Sequence, residues 1–134
     1  MARNNVGRGC GNDDSTNDLE MRNEEHRLQC ACVRWLRYQH PHVLCFAIPN
    51  GGARSALTGA MLKAEGVVAG VPDLMVAEPR GQFAGLCIEM KVKPNRPSKE
   101  QKEIISRLED AGYKVAVCYC FEDFEQVVTD YLGL

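Results

Sequence analysis

The stretch 70–91 reads Gly70-Val71-Pro72-Asp73-Leu74-Met75-Val76-Ala77-Glu78-Pro79-Arg80-Gly81-Gln82-Phe83-Ala84-Gly85-Leu86-Cys87-Ile88-Glu89-Met90-Lys91. Two apolar runs, 73–78 and 83–90, flank the turn signal Pro79-Arg80-Gly81-Gln82, and that pattern predicts an antiparallel hairpin. Side chains at i and i+2 of a strand share a face, so Glu89 and Lys91 project together. In a hairpin, Asp73 approaches them from the neighbouring strand. Leu86, Cys87, Ile88, Met90 and Val92 surround Glu89 with apolar positions. A carboxylate in such a strand needs a partner or a metal.

Working outward, 19–39 reads as a helix, with Met21, Leu28, Ala31, Cys32, Trp35 and Leu36 recurring at helical spacing. His40-Pro41 ends it. Residues 43–48 form a short apolar strand, Pro49-Asn50-Gly51-Gly52 a turn, and 53–65 a second helix stopped by Gly66. After the hairpin, Pro94 and Pro97 break the chain, and Ser98 starts a helix with Gln101 in the capping-box position. Gly112 ends that helix. Residues 113–120 are unbroken in apolar character apart from Lys114, which predicts a strand at the centre of the sheet. A last helix covers 121–132. The order α-β-α-β-β-α-β-α, with a helix crossing between the third and fourth strands, predicts a parallel pairing there. The fold class is α/β, a mixed central sheet flanked by helices.

The 134 residues suffice for one domain with a core, and 45% apolar and 25% charged residues are ordinary for a soluble protein. No run reaches membrane-span length, and the polar, glycine-rich start has no apolar segment of the secretory kind. Residues 1–18 are expected to be a disordered arm and 19–134 the folded domain. A net charge of −2 advertises no global affinity for nucleic acid. The distribution is more informative: Lys91, Lys93, Arg96, Lys99 and Lys102 stand against Glu100 alone, and Arg54 and Lys63 form a sparser second set.

Two carboxylates can hold a divalent ion, and a lysine beside them can stabilise or activate a water. The set suits phosphodiester hydrolysis. A third acid is available from Glu24 or Glu25 on the first helix, with Gln29 one turn after Glu25. Gln101 has two compatible readings, helix cap or a cleft residue that orients the lysine or the water. The seven cysteines read as reduced thiols of a cytoplasmic protein. Cys30 with Cys32 and Cys118 with Cys120 read as small buried residues or as a four-cysteine zinc site, although neither pair has zinc-finger spacing.

Taken in order, these segments resemble the virus-type replication-repair nuclease (VRR-NUC) domain, a branch of the PD-(D/E)xK nuclease superfamily. Glu25-His26-Arg27-Leu28-Gln29 is similar to its first-helix acidic motif, and Ile48 through Ser55 to its strand-to-helix loop. Gly66 through Leu74 is similar to its central motif, and Ile88-Glu89-Met90-Lys91 to its acid-x-lysine strand. Ser98 through Gln101 and Ala111-Gly112-Tyr113 resemble the following helix and strand. The resemblance implies a restriction-endonuclease-like α-β-α core and a DNA endonuclease. Asp73 and Glu89 would bind Mg2+ or Mn2+, with Glu25 the better match for the first-helix acid. Lys91 would contact the scissile phosphate or the water, and Gln101 would assist. Asn50, Arg54, Lys63, Lys93, Arg96 and Lys99 would bind nucleic acid. It further implies a homodimer acting on branched DNA such as Holliday junctions, encoded by a virus or prophage and acting in the host cell. The rival readings are a restriction-like nuclease on plain duplex, a DNA-binding module that does not cut, and a zinc-stabilised scaffold. Intact Asp73, Glu89 and Lys91 argue against the second of these.

Overall fold

Four strands form one mixed sheet in the order β1-β2-β3-β4. The computed structural model describes residues 14–49 and 56–134, as α1 (Asp14–Gln39), β1 (Cys45–Ala47), α2 (Ala56–Ala64), β2 (Leu74–Val76), β3 (Leu86–Met90), α3 (Lys99–Asp110), β4 (Lys114–Cys118) and α4 (Phe121–Leu132). This is the element order expected from the sequence. β1 with β2 and β2 with β3 pair antiparallel, and β3 with β4 pairs parallel. The hairpin closes where Arg80 pairs with Phe83, around Gly81 at φ +55°.

One boundary and one strand position depart from the sequence reading. α1 begins at Asp14, so 14–18 of the expected arm are helical; 1–13 lie outside the described residues. The loop 50–55, with Asn50 and Arg54, also lies outside them. β4 is an edge strand rather than a central one. Its apolar run reflects cover on both faces, because α3 and α4 both pack on it. Strand neighbours on both sides are not needed to explain such a run. The central strand is β3, buried at all five positions.

The alternation of β3 sorts the layers. Leu86, Ile88 and Met90 join Leu74, Val76, Cys118 and the apolar stripes of α1 (Cys32, Leu36) and α4 (Phe124, Val128, Tyr131) in one core. Trp35 meets Phe121 and Phe124 edge-on, at centroid distances of 6.0 and 6.2 Å, and so locks α1 to α4. The Tyr131 hydroxyl donates to the Glu78 carbonyl, which satisfies a fully buried phenol. Cys87 and Glu89 point the other way, toward α3. That face is thinner, since no α3 side chain is fully buried. One layer thus holds most of the buried apolar side chains, and the other leaves room for polar groups at the carboxyl end of β3.

Candidate active site

Extending the β2–β3 register by one residue sets Asp73 opposite Glu89. Asp73 is fixed from both sides of its backbone position. Its carbonyl accepts from the Ile48 amide at 2.8 Å, and its Oδ2 accepts from the Met90 amide at 2.7 Å. The carboxylate therefore lies across the end of β3, directed at the neighbouring acid.

Glu89 is 2% exposed and is the one charged residue in the core of the described chain. Its Oε1 accepts from Gln101 Nε2 at 3.0 Å. Its Oε2 is buried with no hydrogen-bond partner. Lys91 Nζ stands 3.9 Å from Oε1, at the outer limit of an ion pair. Burial, then the charge of Asp73 close by, push the Glu89 carboxyl up to about 8; the Lys91 ammonium offsets only part of this.

Gln101 occupies both positions that the sequence offered. Its backbone amide donates to Ser98 Oγ at 3.2 Å and its Oε1 accepts from the Ser98 amide at 2.8 Å, which completes a capping box. The Nε2 that the cap leaves over reaches Glu89. Gly70 lets α3 come this close: at φ +89°, a Cβ on it would stand 2.8 Å from the Glu100 carbonyl carbon and 3.0 Å from the Gln101 nitrogen.

On α1 the structure separates the two candidate acids. Glu24 is exposed, whereas Glu25 is half-buried and lines a cleft of about 790 Å³ with Asp73, Met90 and Gln29. Burial raises the Glu25 carboxyl, Lys91 lowers it, Asp73 raises it further, and a hydrogen bond from the Val92 amide lowers it. Glu25, Asp73, Glu89 and Lys91 thus feel one another's charge. Among the described residues, no three His, Cys, Asp or Glu side chains converge tightly enough to form a ready-made metal cage. Two close carboxylates are still the donor set that suits Mg2+, which takes one or two carboxylates and fills its shell with waters and phosphate oxygens.

The basic candidates are dispersed. Lys93 and Arg96 line a second cleft with Tyr119. Lys99 is exposed in the first turn of α3, and Lys63 is exposed in the last turn of α2, lining neither cleft. Sequence reasoning missed Arg22, His26, Arg34 and Arg37, which line the larger cleft from α1 opposite Phe46. Their signal was a basic edge recurring at roughly helical spacing beside the apolar stripe.

Among the described residues, the cysteines do not assemble a four-sulfur site. Cys30 is exposed beside His26, with Sγ 3.6 Å from Nε2, while Cys32 and Cys118 lie in the core. Burial pushes both core thiols up to about 12, which keeps them protonated.

The sequence profile of the VRR-NUC domain matches residues 12–122. A solved structure described as a VRR_NUC domain protein superposes with a TM-score of 0.68 at 25% identity, covering 81% of this chain and 88% of that one. No curated protein matches the sequence.

Proposed function

The chain belongs to the VRR-NUC domain family, a nuclease-type fold for which DNA is the implied substrate, and from that premise we propose that it is a Mg2+- or Mn2+-dependent endonuclease working at Asp73, Glu89 and Lys91. One observation carries the reading: a fully buried carboxylate with one oxygen held by Gln101 and the other without a partner, beside a second carboxylate. Buried Glu89 and half-buried Asp73, with a single lysine 3.9 Å from Glu89, lack positive charge. A divalent cation is the group that balances them.

Asp73 and Glu89 would hold the ion, with Glu25 at the margin of the cleft. When bound, it polarises the phosphate and lowers the pKa of the attacking water. The chain's own groups do the rest. The Met90 amide and Gln101 fix the two carboxylates, so neither must reorganise during the reaction. Lys91 keeps its ammonium beside them, where it balances charge as the water oxygen adds to phosphorus and the ester bond breaks. Lys93, Arg96 and Lys99, with Asn50, Arg54 and Lys63, are assigned to backbone phosphates, and binding through them weakens steeply with salt.

The assay offers four-way junctions, flaps and linear duplex to the purified protein with Mg2+, with Mn2+ and with EDTA. Cleavage that needs the metal, and falls about 10²- to 10³-fold in Lys91→Ala, is the expected result. If wild type cuts none of the substrates, or if Glu89→Ala and Lys91→Ala cut as well as wild type, the reading is wrong. For substrate form we propose branched DNA cut by a homodimer. Support comes from what the resemblance to the VRR-NUC family implies and from apolar Leu57 and Met61, exposed on α2. Paired symmetric nicks in a synthetic junction, with a dimeric mass by light scattering, are the expected outcome. Cuts confined to plain duplex would favour the restriction-like alternative.

A further inference from the structure

The cleft that holds Glu25 and Asp73 continues along α1 well past the acids. Its far end is lined by Arg34 and Arg37, its near end by Arg22, and its opposite wall carries Phe46 of β1. From Glu25 to Arg37, the helix advances about 18 Å at 1.5 Å per residue. Among the described residues, the only ion pairs are Glu78–Arg80 and Glu89–Lys91. Arg22, Arg34 and Arg37 are all exposed along this wall, where an incoming anion can reach them. Phe46 is 42% exposed on an edge strand, although its neighbour Cys45 is in the core. An aromatic face bordering a groove of cations is the combination that binds unpaired nucleic acid: bases stack on the ring while phosphates meet the cations. A volume of about 790 Å³ is that of a small-molecule pocket, which suits a few nucleotides of one strand and is too small for a duplex.

We propose that this cleft seats an unpaired DNA strand leading to the scissile phosphate, with Phe46 as the stacking platform and Arg22, Arg34 and Arg37 as phosphate contacts. The inference rests on the nuclease reading and sharpens its substrate class to branches at which one strand is unpaired, as in a flap or at the opened centre of a four-way junction. Lys93 and Arg96 lie in a separate cleft and are left to contact the paired part.

The test is fluorescence anisotropy of labelled dT12 and of a blunt duplex against the full chain in EDTA, where no cleavage occurs. Wild type is expected to bind dT12. Phe46→Ala should weaken that binding about 5- to 150-fold, the range for loss of one stacked base, and Phe46→Trp should retain it. Arg34→Ala combined with Arg37→Ala should weaken it and flatten the log–log salt dependence by about 1.4, at about 0.7 per lost single-strand phosphate contact. All sites changed are exposed, and circular dichroism verifies folding. Unchanged dT12 binding in both variants overturns the proposal, as does equal weakening for dT12 and blunt duplex. A protein that binds dT12 through these residues yet cuts no DNA under any metal keeps this proposal and sinks the nuclease reading. One that cuts DNA while its binding ignores Phe46 and the arginines does the reverse.

Discussion

The side-chain nitrogen of Gln101 donates to Glu89 Oε1 at 3.0 Å while the oxygen of the same amide is held by the Ser98 backbone at 2.8 Å. The two bonds use opposite ends of one amide, so the start of α3 and the buried acid of β3 share a single orienting group. Ser98→Ala removes half of the capping box. It is expected to cost about 1 kcal/mol in denaturant unfolding and to lower metal-dependent cleavage beyond what the lost folded fraction explains. Gln101→Glu tests the other end: it keeps the cap acceptor but sets a third carboxylate against Glu89. Cleavage equal to wild type in Gln101→Glu would remove Gln101 from the site.

Gly70 is the position where a small change should do the most damage per atom. Gly70→Ala adds a Cβ 2.8 Å from main-chain atoms of α3 and forces a non-glycine residue to φ +89°. The expected loss is about 1–3 kcal/mol of stability, with reduced cleavage because Asp73 and Gln101 are pushed apart. Gly66→Ala has positive φ but nothing within 4 Å, so it serves as the control: some strain, no displacement of the site. Thermal melts and cleavage rates of the pair separate the two effects.

Glu89 gives the metal-free protein a distinctive pH dependence. Its folded carboxyl is raised from the ordinary 4.5 to about 8, by burial first and Asp73 second. The folded state therefore binds a proton that the unfolded state has released. This stabilisation is fully present below about pH 4.5 and is lost as pH rises through about 8. In EDTA, wild type should lose stability across this window relative to Glu89→Gln, which carries no titrating group there. Mg2+ at neutral pH should restore wild type and leave Glu89→Gln unmoved, by about 2.7 kcal/mol at a hundredfold excess over Kd. Parallel pH–stability curves for the two proteins in EDTA would contradict the assignment.

The thiols should sort by location. Exposed Cys30 is expected to alkylate first in the native protein. Cys32, Cys45, Cys87 and Cys118, buried and with their thiols pushed up, should react only on unfolding. Mass spectrometry after graded iodoacetamide treatment reads the order directly. Fast native modification of Cys32 or Cys118 would mean that α1 and β4 are not packed as described.

What could be read from the sequence was local in sequence. The turn at 79–82 and the i, i+2 spacing of Glu89 and Lys91 are short-range patterns, so the hairpin, the shared face and the parallel crossover were all legible. The position of β4 was not, since an apolar run records cover on its faces and says nothing of its edges. Glu24 and Glu25 differ by about 100° around a helix, and only the docking of α1 against the sheet decides which one faces Asp73. The arginine edge of α1 was visible as spacing, but it lines a cleft only because β1 stands opposite. Gly70 stood out only as part of the 66–74 motif; its role depends on a helix thirty positions away in the chain.

The amide fork of Gln101 also makes the first turn of α3 and the end of β3 one cooperative unit against local opening. Helix ends ordinarily fray with little free energy, yet here fraying of α3 would strip the Glu89 side chain of the one hydrogen bond it has among the described residues. Any ligand that anchors Glu89 should therefore slow hydrogen exchange at the Gln101 and Lys102 amides, which makes the start of a surface helix a remote gauge of site occupancy.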